Sequence, residues 1–273
     1  CWRRDWSMLE FGFHQGAGLS SHMPQIDLQL LAMASTQDAN GGMETLWQLC
    51  LHLQHLGYPV VVLDATAPEN PRSPGLRQLL AHSARAQDMR PAAGAANTLA
   101  VLPAKLGLQT LLQQAEPGQP LLPLLQPLLR SYALVVLHAP IDVLASPLLD
   151  ASLATPLILM PPGQNGVIAT YRQLKLLALH AGLNGLVACM ARSYPAQQLR
   201  LAQDSLESLR RCAMRHLGQQ PHTTLIRADR PQELQRLALQ WLENACTISA
   251  PGTFSALPSI PKAGFPTYIA QSH

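Results

Sequence analysis

At 273 residues, 48% of them hydrophobic and only 13% charged, the chain fits one doubly wound α/β domain with a tail and is too apolar for a disordered polypeptide. The net charge of +3 excludes the clustered Lys/Arg of a strong nucleic-acid binder; Arg210, Arg211, Arg215 and His216 come nearest and read as a solvated helix face. Five cysteines without a CxxC pair exclude a zinc site or a disulfide framework and point to reduced thiols in cytoplasm.

No apolar run is long enough for a membrane span. Cys1–Ser7 lacks the apolar core of a signal peptide, and Met8 reads as the true start. Three parts are expected: a flexible lead-in over 1–24, an α/β domain over 25–246, and a Pro-containing tail over 247–273 expected to be disordered.

Gln25–Ser35 ends in an apolar run and predicts a buried first strand. A polar loop follows, Thr36–Gly42. Met43–Leu56 has helical spacing at Leu46, Leu49, Cys50 and Leu53, closed by Gly57 as C-cap. Tyr58–Asp64 is a second buried strand, so the sheet is expected to be mostly parallel. Pro68–Pro74 is a breaker-rich loop, Gly75–His82 a short helix and Asn97–Pro103 a third strand.

Leu106–Gln114 reads as a helix, and Pro117–Pro127 as a break and restart of a Leu-rich helix into Arg130. Strands follow at Tyr132–His138, Pro156–Met160, Leu183–Met190 and Thr223–Ile226. Helices are expected at Pro147–Leu153, Val167–Ala181, Ala196–Leu217 and Pro231–Ala245, the last with Pro at its first position.

The segment between the first strand and first helix is where a phosphate loop belongs. Such a loop needs glycines whose amides cradle phosphate, a lysine for the β/γ-phosphates and a hydroxyl for Mg²⁺. Ser35–Thr45 (STQDANGGMET) has glycines but no lysine, and Asp38 and Glu44 place negative charge there. The segment nevertheless resembles, without gaps, the deviant Walker A (xKGGxGKTT) of MinD/ParA-type P-loop ATPases. In that resemblance Gln37 stands on the signature lysine, Gly41 on the retained glycine, Gly42 on the P-loop lysine and Met43 on the Mg²⁺-binding Thr.

Further landmarks follow in family order over roughly residues 12–217. Val60–Ala65 (VVVLDA) resembles the strand ending in Asp-x-Asp, with Asp64 on the first Asp and Thr66 replacing the water-orienting second. Val101–Ala104 (VLPA), with Gly107 and Leu108, resembles the VLPAGSG segment of the flagellar branch. Tyr132–Pro140 (YALVVLHAP) resembles the Walker B strand, with His138 in place of the Mg²⁺-linked Asp. Pro161–Lys175 is similar to PEPTSxxDAYxxIK, and Val187–Ser193 (VACMARS) to VVNMVRS, with Cys189 where an Asn reads adenine.

The resemblance implies a MinD-like doubly wound fold and a vestigial nucleotide pocket made of Gln37, Gly41, Gly42, Met43, Asp64, Thr66, His138 and Cys189. Phosphoryl transfer rests on the replaced groups, so a pseudo-ATPase with no catalytic residues, no cofactor and no ATP-driven dimer is expected.

His14–Leu19 (HQGAGL) resembles the DQAxGLR lead-in of FlhG/FleN (YlxH)-type regulators of flagellar number and placement. That likeness implies partner contacts through Gln15, Gly18 and Leu19, with an FlhF-like SRP-type GTPase or another flagellar protein. It also implies a cytoplasmic chain recruited to the cell pole by its partner. Gly16 and the loss of Arg at Ser20 depart from the motif and weaken its helix. Two other readings stand beside this one: a degenerate MinD-like protein of cellulose secretion or polar localisation, and an enzyme with a new site near Asp64 and His138. His52 and His55 are spaced as a metal pair on a helix but have no third ligand in the sequence, and are expected to be packing or surface histidines.

Overall fold

The computed structural model describes residues 28–35, 39–81, 99–114, 121–149, 154–192 and 195–248. Its strands are β1 (Gln29–Ala34), β2 (Val60–Asp64), β3 (Ala100–Pro103), β4 (Leu134–Ala139), β5 (Leu157–Met160), β6 (Leu186–Ala191), β7 (His222–Arg227) and β8 (Cys246–Thr247). They form one sheet in the order β3-β2-β4-β1-β5-β6-β7, parallel throughout, with β8 antiparallel on β1. Parallel strands are covered on both faces, which is why β2 and β4 are buried at every position (VVVLD and LVVLHA) instead of alternating with polar residues.

The helices are α1 (Ala39–His55), α2 (Leu76–Ala81), α3 (Lys105–Gln114), α4 (Ile141–Leu144), α5 (Gln164–Leu176, continued by a π turn over Leu177–Ala181), α6 (Ala196–Leu217) and α7 (Pro231–Leu242). Two cores result. α1 and α7 cover one face through Leu46, Leu49, Leu53, Leu237 and the fully buried Trp241, packed on Met33, Val62 and Val136. The α2, α3, α5 and α6 helices cover the other face through Leu76, Leu108, Leu174 and Leu209, packed on Leu30, Leu63, Leu137 and Cys189. Burying each such side chain stabilises the fold by about 1.5–3 kcal/mol.

Gly57 ends α1 at φ 92°, the left-handed C-cap its position suggests. Four differences from the sequence expectations have physical reasons. α1 starts at Ala39, so the second half of the expected Thr36–Gly42 loop is its first turn. The Leu-rich helix expected to run into Arg130 is only a 3-10 turn, Leu122–Leu125, followed by bends. Pro127 has no N–H to give the carbonyl four residues back, and the chain closes with Gln126 N–H to Pro123 O (3.2 Å) and Leu128 N–H to Leu125 O (3.1 Å).

Pro147–Leu149 is likewise a 3-10 turn, and α4 before it, with Pro140 as its N-cap, is an unanticipated short helix. Finally, the first residues of the tail are ordered. Gln29 pairs with Thr247, Leu30 with Cys246, and the Ile248 amide donates to Leu28 O at 2.8 Å with Ile248 buried. β5 meets β1 at one register position, Met33 beside Leu157, and β8 pairs with the amino half of β1.

Candidate functional site

In an open parallel sheet, ligands bind beyond the carboxyl ends of the strands, at the point where the chain switches direction across the sheet. Here that point is the end of β1, whose following helix leads leftward to β2 while β5 lies on its right. The strand ends are tied together: Ser35 N–H donates to Ala139 O (2.8 Å) and Ala65 N–H to His138 O (2.8 Å).

Register places Met33, His138 and Asp64 side by side on β1, β4 and β2. By alternation with Val62 and Val136, the Asp64 and His138 side chains lie on the α1 face. His138 Nδ1 stands 3.1 Å from Asp64 Oδ1, and the same oxygen accepts the Thr66 hydroxyl at 2.7 Å and the Thr66 amide at 3.0 Å. Because a carboxylate only accepts, Nδ1 carries the proton of the first bond. Both residues are buried, Asp64 at 7% and His138 at 4% exposure. Burial pushes the Asp64 carboxyl up, but the hydrogen bonds from His138 and Thr66 outweigh it and hold the group below the ordinary Asp range.

The structure therefore joins three of the residues singled out in the sequence: Asp64, Thr66 and His138. Gly41, Gly42 and Met43 lie in the first turns of α1, in helical backbone. The Thr45 hydroxyl turns back to Gly41 O (2.9 Å), as helix-interior threonines do. Met43 and Trp47, one turn apart, are exposed. The first lysine of the chain is Lys105, so no ammonium group stands at this edge within β1, α1 or β2.

Cys189 is not part of the cluster. It belongs to the opposite core, fully buried, and burial pushes its thiol up to about 12. Gln37, and the lead-in residues Gln15, Gly18 and Leu19, lie outside the described residues. No third His, Cys, Asp or Glu joins His52 and His55 as a metal group among the described residues.

One residue near the edge was missed by the sequence reading. Glu69, 4% exposed, accepts the Arg77 amide (3.2 Å), the Leu106 amide (2.7 Å) and the Gly107 amide (2.8 Å), so one carboxylate caps the first turns of both α2 and α3. A Cβ at Gly107 would lie 2.7 Å from the Arg77 nitrogen, which accounts for the glycine that follows the VLPA segment. A Glu in a proline-rich loop carries no sequence signal of burial.

No protein-family model and no curated protein sequence matches the chain. Solved structures do. A cobyrinic acid a,c-diamide synthase from Mycobacterium smegmatis, determined with ADP and magnesium, superposes with a TM-score of 0.50 at 16% identity over 79% of this chain and 94% of that one. A ParA family ATPase from Chlorobium tepidum (TM-score 0.47, 15% identity, 79% and 92% covered) and the MinD cell division protein of Aquifex aeolicus (0.47, 14%, 79% and 97%) are also similar. The mostly parallel sheet flanked by helices is the α/β fold that the synthase structure shares. At this identity the likeness speaks for the fold alone, and no helix among the described residues is long and apolar enough to cross a membrane.

Proposed function

We propose that the chain is a MinD-like protein that neither hydrolyses nor needs ATP and acts through protein contacts, as an FlhG-like regulator of flagellar number or placement. The observation that carries the first half is the Asp64–Thr66–His138 cluster. A carboxylate at this edge of a phosphoryl-transfer enzyme must be available to water or to Mg²⁺. Asp64 Oδ1 instead accepts three internal donors, one of them an imidazole on the neighbouring strand.

The second half rests on the sequence. The HQGAGL lead-in and the VLPA segment both resemble the flagellar branch, and Gln15 and Leu19 are then the contact residues for an FlhF-like GTPase. Deleting residues 1–22 is expected to leave the fold intact, since β1 starts later, and to abolish binding to such a GTPase. Gln15→Ala is expected to keep binding and lose any stimulation of GTP hydrolysis. A deletion variant that binds the GTPase as well as the full chain would sink the flagellar half of the reading.

A second reading takes the Asp64–His138 bond as an acid–base pair in a new enzyme site, since an aspartate that orients a histidine through Nδ1 is a common catalytic arrangement. It is disfavoured because the Thr66 hydroxyl in the cluster donates to Asp64 and not to His138.

A further inference from the structure

α1 meets the sheet with one stripe and turns a second, ordered one to solvent. The buried stripe is Leu46, Leu49, Cys50 and Leu53. Opposite it, at three- and four-residue spacing, stand Glu44, Trp47, Gln48, Leu51 and His55. Trp47 is 44% exposed, so packing on the sheet does not account for its indole. Glu44 and His55 are exposed and Leu51 is half-buried.

This outer face has a direction along the helix. Its one carboxylate, Glu44, stands in the amino half, and its imidazole, His55, is the last residue. α1 carries no Lys or Arg. The Gln48 amide donates to Glu44 Oε1 at 2.9 Å, which holds the carboxylate along the face.

We propose that α1 pairs with α1 of a second copy of this chain, antiparallel about a twofold axis, in a weak homodimer that uses no nucleotide. An isologous contact needs a surface complementary to itself, and reversing this helix supplies one. With Glu44 opposite the second copy's His55, Gln48 falls opposite the second copy's Leu51, and Trp47 packs on that leucine near the axis. Two indoles and two leucines then form the apolar centre, and a carboxylate–imidazole pair, joined by an imidazole N–H, closes each end. The two Glu44 carboxylates stand roughly 16 Å apart along the pair at a rise of about 1.5 Å per residue, beyond the screening length of physiological salt.

The order of charges selects a second copy over other occupants. An anionic bilayer or a nucleic acid finds no Lys or Arg on α1 and meets Glu44 instead. A single helix pair buries less than the about 800 Å² per partner of a standard interface, so the association belongs to the weak, concentration-dependent class. Antiparallel pairing points the two carboxyl edges in opposite directions. Asp64 and His138 take no part in it, and the inference does not rest on the proposed function.

Sedimentation equilibrium of the full chain without nucleotide, from low to high micromolar concentration, tests this. A reversible monomer–dimer equilibrium is expected. His55→Glu sets like charges against each other at both ends and is expected to weaken association about tenfold, since the twofold axis counts the pair twice. Glu44→Lys with His55→Glu restores opposite charges in the same register and is expected to return association to the wild-type level. Trp47→Ala is expected to weaken it on the order of tenfold or more. These positions are exposed, so the thermal unfolding curves should stay in place. A chain that remains monomeric throughout, a dimer left intact by His55→Glu and Trp47→Ala, or a charge swap that fails to restore what His55→Glu removes would overturn the proposal.

Discussion

Asp64 is a buried carboxylate kept ionised by its neighbours, and its titration is readable as stability. Its folded-state pKa lies below the unfolded value of about 3.9. The carboxylate form is thus favoured by folding. Its contribution is fully present above the unfolded pKa and is lost as pH falls through the lower, folded one. Urea unfolding followed from neutral pH down to strongly acid pH should show wild type losing stability relative to Asp64→Asn below about pH 4, because Asn still accepts from Thr66 and His138 but has no charge to titrate. Parallel curves for the two proteins would mean that the cluster does not hold the charge. His138 was legible in the sequence as the replacement at a Walker B position, and Thr66 as the replacement of an Asp. That His138 would close on Asp64 was not legible, because that contact joins strands from distant parts of the chain, whereas Thr66 lies two residues from Asp64.

At the scale of elements, Glu69 is the tie between α2, α3 and the loop that follows Asp64. Removing it leaves three amides without their acceptor at once, the Gly107 amide buried and those of Arg77 and Leu106 partly buried. Glu69→Ala should cost roughly 3–5 kcal/mol, at the high end for a buried hydrogen-bonded charge. Glu69→Gln, which retains one good acceptor, should cost about half as much. Chemical denaturation of the two variants measures this, and equal, small losses would remove Glu69 from its role.

Strands and long helices were legible because their signals are local. Apolar runs mark β2 and β4, Ala196–Leu217 was placed to the residue, and Gly57 marks the end of α1. What failed was set by tertiary context or by proline. The Leu-rich stretch before β4 has the composition of a helix, but Pro123 and Pro127 allow only tighter turns. β8 is two residues long, has no periodicity and exists because β1 offers it an edge.

For the molecule as a whole, the doubly wound sheet brings Asp64, Thr66 and His138 together at its carboxyl edge, where they bond to each other. In the sequence resemblance Gly42 and Met43 fall on the lysine and hydroxyl that serve phosphate and Mg²⁺, and His138 bonds to Asp64. On the proposed reading, β1, α1 and β2 bring no ammonium group to the transition-state charge of phosphoryl transfer, and the Asp64 carboxylate is held by internal donors. Steady-state phosphate release from ATP in the presence of Mg²⁺ tests this central claim most directly. The account predicts a rate no higher than the protein-free background, unchanged in Asp64→Asn and His138→Ala. Turnover by the wild-type chain that disappears in either variant would contradict it.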